Sequence, residues 1–126
     1  MIPCVYWGIF FDDADLPEGS LFREIENKHA TFAFRTPMPE ELLGRSCSIG
    51  IIGYGCDGDN EALLVDLPED VADYRVSDVP AHITLSVSET GRPKDSGYMD
   101  FAETDDPYWI EGVFGYYSFD NEVITG

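Results

Sequence analysis

Two segments in which apolar and polar residues alternate are the strongest constraint on the fold of this chain. They are His29–Arg35 and Pro80–Ser88. Because successive side chains of a strand point to opposite faces, a period of two predicts two strands, each with one core face and one open face. The predicted core faces carry Ala30, Phe32, Phe34, Ile83, Leu85 and Val87, and the open faces carry His29, Thr31, Ala33, Arg35, His82, Thr84, Ser86 and Ser88.

Other segments predict further strands and one helix. Aromatic and β-branched residues favour strands at Val5–Phe11 and Tyr108–Phe119. Ser46–Tyr54 and Glu61–Leu67 flank a turn rich in glycine and aspartate, which predicts a hairpin. Apolar residues at helical spacing predict a short amphipathic helix over Leu16–Asn27. Strands therefore dominate the predicted structure.

The length of 126 residues predicts a single domain covering residues 1–126. No apolar run approaches the roughly 20 residues that span a bilayer, and the start MIPCVYWGIFFDD lacks the basic residues and cleavage site of a signal peptide. Three cysteines without C-x-x-C spacing suggest neither a disulfide framework nor a zinc site. We therefore expect a cytoplasmic protein that does not enter a membrane.

The net charge of −18, from 25 acidic and 7 basic residues, opposes non-specific binding to polyanions. A protein that coats long nucleic acid or lies on an anionic membrane is therefore not expected. A small nucleotide or an RNA-end phosphate fits this balance better. The acidity could also be an adaptation for solubility or high salt.

Both histidines of the chain are followed two residues later by threonine, as His29-Ala30-Thr31 and His82-Ile83-Thr84. On a strand, a His and the Thr two positions on project from one face, roughly 6.6 Å apart along the chain. Two such strands facing one cleft would offer two imidazoles and two hydroxyls to a bound phosphodiester. One imidazole can act as base and the other as acid, while the hydroxyls stabilise the phosphate oxygens. This chemistry needs no metal and no cofactor.

These paired H-x-T motifs resemble those of the 2H phosphoesterase superfamily, which includes 2′-5′ RNA ligase-like proteins and the cyclic phosphodiesterase domains of tRNA ligases. The segment Pro80–Ser96 looks most similar to the tRNA-ligase-like branch. The resemblance implies an α+β fold in which two compact lobes of antiparallel sheet, with few short helices, line a concave central cleft. It also implies that the catalytic residues are His29, Thr31, His82 and Thr84.

Candidate substrate-binding residues lie near the motifs. Among the basic residues, Lys28, Arg35, Arg92 and Lys94 lie within about a dozen positions of a motif, and Ser96 shares a loop with Lys94. Tyr6, Trp7, Tyr116 and Tyr117 could stack on a base, although aromatic residues on strands usually belong to the core. We take Tyr6, Arg35, Lys94 and Ser96 as the candidates.

Two further patterns are better explained as turns. Gly53–Gly58 spells G-x-G-x-x-G, but a strand-like run follows where a dinucleotide site needs a helix. Asp57, Asp59 and Glu61 resemble the start of a calcium loop, yet Ala62 occupies the position of its required glycine. No metal site is expected.

The expected function is hydrolysis of a 2′,3′-cyclic phosphate or another small nucleotide phosphodiester by two-histidine acid and base catalysis. One alternative is a viral immune-evasion nuclease that cleaves cyclic oligonucleotide messengers. Another is a binding protein that sequesters a nucleotide without turnover. A structural domain whose motifs are coincidental is the remaining possibility.

Overall fold

The computed structural model describes residues 1–18, 21–77, 79–92 and 99–126. In these ranges no helix is long or apolar enough to cross a membrane. The helices are single turns: 3₁₀ helices at Asp13–Asp15 and Glu40–Leu42, and α1 at Glu69–Ala72. The strands are β1 (Tyr6–Phe10), β2 (Arg23–Glu24), β3 (His29–Phe34), β4 (Ser46–Cys56), β5 (Asn60–Asp66), β6 (His82–Val87), β7 (Phe101–Tyr117) and β8 (Val123–Ile124).

Six strands close into an antiparallel barrel. Their order is β1-β3-β6-β5-β4-β7, and β7 pairs with β1 to complete the ring. Outside the ring, β2 adds to β6 and β8 adds to β7. The predicted α+β fold with two lobes is therefore wrong, since 50% of the described residues are in strands, 9% are in helices and the sheet closes on itself. Closure joins the first strand to the last long one, and no local sequence pattern encodes such a pairing.

The barrel encloses the core. Trp7, Phe32 and Phe114 meet at its centre, with ring centroids 5.4 Å apart for Trp7 and Phe32 and 5.0 Å apart for Phe32 and Phe114. Val87, predicted to face the core, is only partly buried at the end of β6. The predicted core positions that are buried include Ala30, Phe32, Ile83 and Leu85.

The described part of Leu16–Asn27 forms no helix, so that prediction is wrong. Leu21, predicted to lie on the apolar face, is 51% exposed. Arg23–Glu24 instead pairs with the end of β6, and the Ile25 N–H donates to the carbonyl of Leu85 at 2.9 Å. A helix this short does not offset the cost of its own nucleation, and pairing with an open strand edge supplies the backbone hydrogen bonds instead.

A β-bulge in β3 changes which side chains face the core. Opposite β1, the register passes from Trp7↔Ala33 to Gly8↔Thr31, which leaves Phe32 as the extra residue. Ala33, predicted to face outward, is therefore buried, and Phe34, predicted to face the core, is 54% exposed. The bulge reverses the alternation because one inserted residue moves every later side chain to the other face.

The predicted hairpin is confirmed as β4 and β5, which pair antiparallel from Gly50↔Asp66 to Cys56↔Glu61. Its turn is shorter than predicted, because both strands extend into the glycine-rich segment. Asp57 closes the turn by accepting hydrogen bonds from the backbone N–H groups of Asp59 and Asn60 through Oδ1. The G-x-G-x-x-G sequence, predicted to be a turn throughout, therefore builds the end of β4 and only the start of the turn.

Candidate functional site

The two H-x-T motifs lie side by side on neighbouring strands. β3 and β6 pair antiparallel at Ala30↔Ile83, the central residues of the two motifs. In an antiparallel pair, the residue before one partner faces the residue after the other. His29 therefore faces Thr84, and Thr31 faces His82, so a local two-fold arrangement relates the motifs.

The four side chains share the outer face of the barrel. Ala30 and Ile83 are 1% and 0% exposed, so the residues on either side of them project away from the core. All four line one cleft of about 640 Å³. Diagonal neighbours in such an arrangement, as His29 and His82 are, lie roughly 7–8 Å apart, and their Cβ atoms somewhat less. That separation leaves room for one phosphate between the imidazoles.

Each imidazole is held by a backbone carbonyl two residues earlier in the chain. His29 Nδ1 lies 2.9 Å from the carbonyl oxygen of Asn27, and His82 Nδ1 lies 2.9 Å from that of Pro80. A carbonyl oxygen only accepts hydrogen bonds, so Nδ1 carries a proton in both rings. Nε2 is therefore the atom of each ring that gains or loses a proton.

Burial lowers the pKa of both histidines. At His29 the loss of solvent is the largest effect, the Asn27 carbonyl opposes it, and the charge of His82 lowers the pKa further. At His82 burial again dominates, the Pro80 carbonyl opposes it, and the Arg75 guanidinium lowers the pKa further. Each imidazole is thereby biased towards its neutral form, and charging one disfavours charging the other.

An aromatic wall formed by Tyr6, Phe34 and Tyr117 borders the cleft beside His29. The Tyr6 ring stacks on the His29 ring with centroids 4.6 Å apart, and on the Tyr117 ring at 5.2 Å. Phe34 lies on the other side of Tyr6, at 6.4 Å. Burial and Tyr117 raise the pKa of Tyr6 to about 12, so its hydroxyl is protonated at neutral pH. Aromatic faces of this kind stack on nucleobases without strong preference for sequence.

The candidate substrate-binding residues have different places. Tyr6 lines the cleft. Arg35 is exposed and has a positive φ of 54°, and its guanidinium carbon lies 5.5 Å from the centroid of the Phe34 ring. It is not among the described residues that line the cleft. Lys94 and Ser96 lie outside the described residues.

The other basic residues near the motifs are used differently. Lys28 is 1% exposed and forms an ion pair with Glu24 at 3.2 Å, so its charge is already balanced. Arg92 lines the cleft at its exposed margin. Within the described ranges, therefore, Lys28 is a structural cation and Arg92 borders the cleft.

Sequence reasoning missed Arg75, Phe34 and Asn27. Arg75 lines the cleft and lies closer to His82 in sequence than Lys94 does, so proximity to the motif could have identified it. The alternation along β3 predicts Phe34 on the core face, because the bulge leaves no mark in the sequence before it. Asn27 contributes only its backbone carbonyl, which any residue type could supply, so no side-chain pattern points to it.

Comparison with known proteins adds no relationship. No protein-family model matches the chain, and no curated protein matches it.

Proposed function

We propose that the protein is a metal-independent phosphoesterase of the 2H type, acting on a 2′,3′-cyclic phosphate or another small nucleotide phosphodiester. The observation that carries the proposal is the antiparallel pairing at Ala30↔Ile83, through which each histidine faces the threonine of the other motif. Two imidazoles with Nε2 available for proton transfer and two hydroxyls then share a single cleft.

The proposed reaction uses the two imidazoles in opposite roles. One neutral ring accepts, through Nε2, a proton from the attacking water as the new P–O bond forms. The other ring, protonated, donates from Nε2 to the ribose oxygen as the P–O bond of the cyclic phosphate breaks. The product is a phosphate monoester with a free ribose hydroxyl. The hydroxyls of Thr31 and Thr84 donate to the non-bridging oxygens, on which negative charge increases in the transition state.

The cleft suits a small substrate. A volume of about 640 Å³ is typical of sites for small ligands. The aromatic wall offers a stacking surface for a base next to the reacting phosphate. The net charge of −18 disfavours a long polyanion but only weakly opposes a ligand with one or two charges.

The proposal includes a cytoplasmic location. The three cysteines of the chain are free, and Cys56 is exposed. A reducing compartment keeps such a thiol from oxidising, which supports the cytoplasm as the place of action.

Turnover assays with a chelator present test the proposal. The panel contains 2′,3′-cyclic nucleotides, short RNAs and cyclic di- and trinucleotides, each incubated with the wild type, His29→Ala and His82→Ala. We expect turnover of at least one member and a loss of about 10²- to 10⁴-fold in each variant, because each removes one proton-transfer group. Thr104→Val, on an exposed part of β7, is the control and should keep full activity.

The outcome also distinguishes the proposed phosphoesterase from the alternative functions. Cleavage confined to cyclic di- or trinucleotides would favour the immune-evasion nuclease. Binding without turnover would favour a sequestering protein and contradict the enzyme. Full activity in either histidine variant, with circular dichroism showing a folded protein, would refute the two-histidine mechanism.

A further inference from the structure

Arg75 is held at the edge of the cleft by backbone carbonyls. It follows α1 in the chain and is partly buried. One terminal guanidinium nitrogen donates to the Val79 carbonyl at 2.6 Å and the other to the Pro80 carbonyl at 3.3 Å. Nε makes a longer contact, 3.4 Å, with the carbonyl of Thr31. These bonds tie the segment before β6 to β3 and fix the guanidinium in one place.

The charge of Arg75 is not balanced by these contacts. Carbonyl oxygens are neutral acceptors, whereas Lys28 and Arg45 form ion pairs with Glu24 and Asp70. Among the residues that the structure describes, no carboxylate forms an ion pair with Arg75. In a chain with 25 acidic and 7 basic residues, a partly buried arginine that forms no ion pair within the described ranges is unexpected. A guanidinium withdrawn from water gains most from an anion that enters beside it.

The guanidinium also lies beside a reacting imidazole. The Pro80 carbonyl that accepts from Arg75 is the one that accepts from His82 Nδ1. Arg75 further contacts the carbonyl of Thr31, the residue that faces His82 across the strands. Guanidinium has five N–H donors, and three are used by these carbonyls, which leaves two for a ligand.

From this arrangement we infer that Arg75 is a substrate-binding residue, which receives non-bridging phosphate oxygens at the His82 end of the cleft. The inference rests on the proposed function for the identity of the reacting group. A phosphodiester has one negative charge, and its transition state and monoester product have more. Arg75 therefore favours the transition state and product over the substrate, and its loss affects kcat as well as KM.

Ligand binding tests this role without requiring turnover. The probes are adenosine 3′-monophosphate, inorganic phosphate and uncharged adenosine, titrated into the wild type, Arg75→Gln, Arg75→Lys and Arg23→Gln, with NMR shifts as the readout. Arg23→Gln changes the net charge equally on exposed β2, outside this cleft.

We expect the wild type to bind the monophosphate more tightly than adenosine. Arg75→Gln should lose about 10- to 100-fold in affinity for the monophosphate and little for adenosine, since it removes a charged donor. The affinity of Arg75→Lys for the monophosphate should lie between those of the wild type and Arg75→Gln, because lysine keeps the charge but lacks the planar guanidinium. Arg23→Gln should match the wild type.

Two results would overturn the inference. One is a wild type that does not distinguish the monophosphate from adenosine. The other is unchanged monophosphate affinity in Arg75→Gln. Should Arg75→Gln fail to fold, Arg75→Lys provides the test. If folded Arg75→Lys binds the monophosphate as tightly as the wild type at every salt concentration, the planar guanidinium of Arg75 has no role in binding. If turnover is lost in the histidine variants but not in Arg75→Gln, the proposed function stands and the inference about Arg75 fails. If phosphate binds through Arg75 but no substrate is turned over, the proposed enzymatic function fails and the inference about phosphate binding stands.

Discussion

At the scale of single residues, the same hydrogen-bond arrangement holds both histidines. His29 and His82 each donate from Nδ1 to the carbonyl of the residue two positions before, which fixes the ring and leaves Nε2 for proton transfer. The surroundings then distinguish the two rings. His29 stacks on Tyr6, whereas His82 shares a carbonyl with Arg75. Two similar motifs are therefore placed in unequal environments, which suits two different roles in proton transfer.

The lowered pKa of His29 predicts a pH dependence of stability. Unfolding returns the imidazole to its ordinary pKa of 6.5, so in the window between that value and the lowered one the unfolded chain binds protons that the folded chain does not. Acidification from about pH 7.5 to about pH 5.5 should therefore reduce the free energy of unfolding. His29→Gln should show a smaller decrease, measured by urea unfolding at both pH values.

His29→Gln leaves every carboxylate of the chain in place, so the contribution of the carboxylates cancels in the difference between wild type and variant. An equal decrease in the two proteins would show that burial of His29 does not lower its pKa.

At the scale of elements, the contact between β1 and β3 positions half of the cleft. The bulge at Phe32 lets Phe32 and Ala33 both face the core. It also turns Phe34 outward, where Phe34 forms part of the aromatic wall. The strands approach so closely here that a Cβ at Gly8 would lie 2.1 Å from the carbonyl oxygen of Ala30. Glycine at this position is therefore required by the backbone of the motif strand itself.

Gly8→Ala should separate β1 from β3. The expected cost is about 3 kcal/mol of unfolding free energy, the upper part of the range for overpacked sites, because a backbone oxygen cannot move aside as a side chain can. Denaturant unfolding measures it. Gly58→Ala is the matched control, because apart from its two chain neighbours no described residue has an atom within 4 Å of the added methyl group. Equal stability of the two variants would mean that β1 and β3 are less closely packed than described.

At the scale of the whole molecule, the negative net charge destabilises the compact folded state. A net charge of −18 on 126 residues makes the folded protein repel itself. Arg75 and the two histidines lie inside this negative field. The cleft therefore combines a local cation with a molecule whose net charge disfavours large polyanions, and under the proposed function the substrate is limited by charge as well as by size.

Screening this repulsion should stabilise the fold. The Debye length falls from about 30 Å at 0.01 M salt to about 8 Å at 0.15 M. The midpoint of thermal unfolding should therefore rise mainly over this range of sodium chloride concentration. A midpoint that stays constant there and rises only near 1 M would indicate exclusion of salt from the surface rather than screened charge.

The sequence by itself determined the two motif strands, the β4–β5 hairpin and the outward direction of His29, Thr31 and His82, because a strand's period of two is a local property. Thr84 and Ser86, predicted to lie on an open face, are instead buried, at 8% and 0% exposed. Only the tertiary structure decided that the sheet closes into a barrel, that Phe34 borders the cleft and that Arg75 stands beside His82. Closure, bulges and the place of a guanidinium depend on pairings between distant segments, whose register local patterns do not specify. His29–Arg35 and Pro80–Ser88 each predict a strand with a His and a Thr on one face, and the pairing at Ala30↔Ile83 brings the two motifs together.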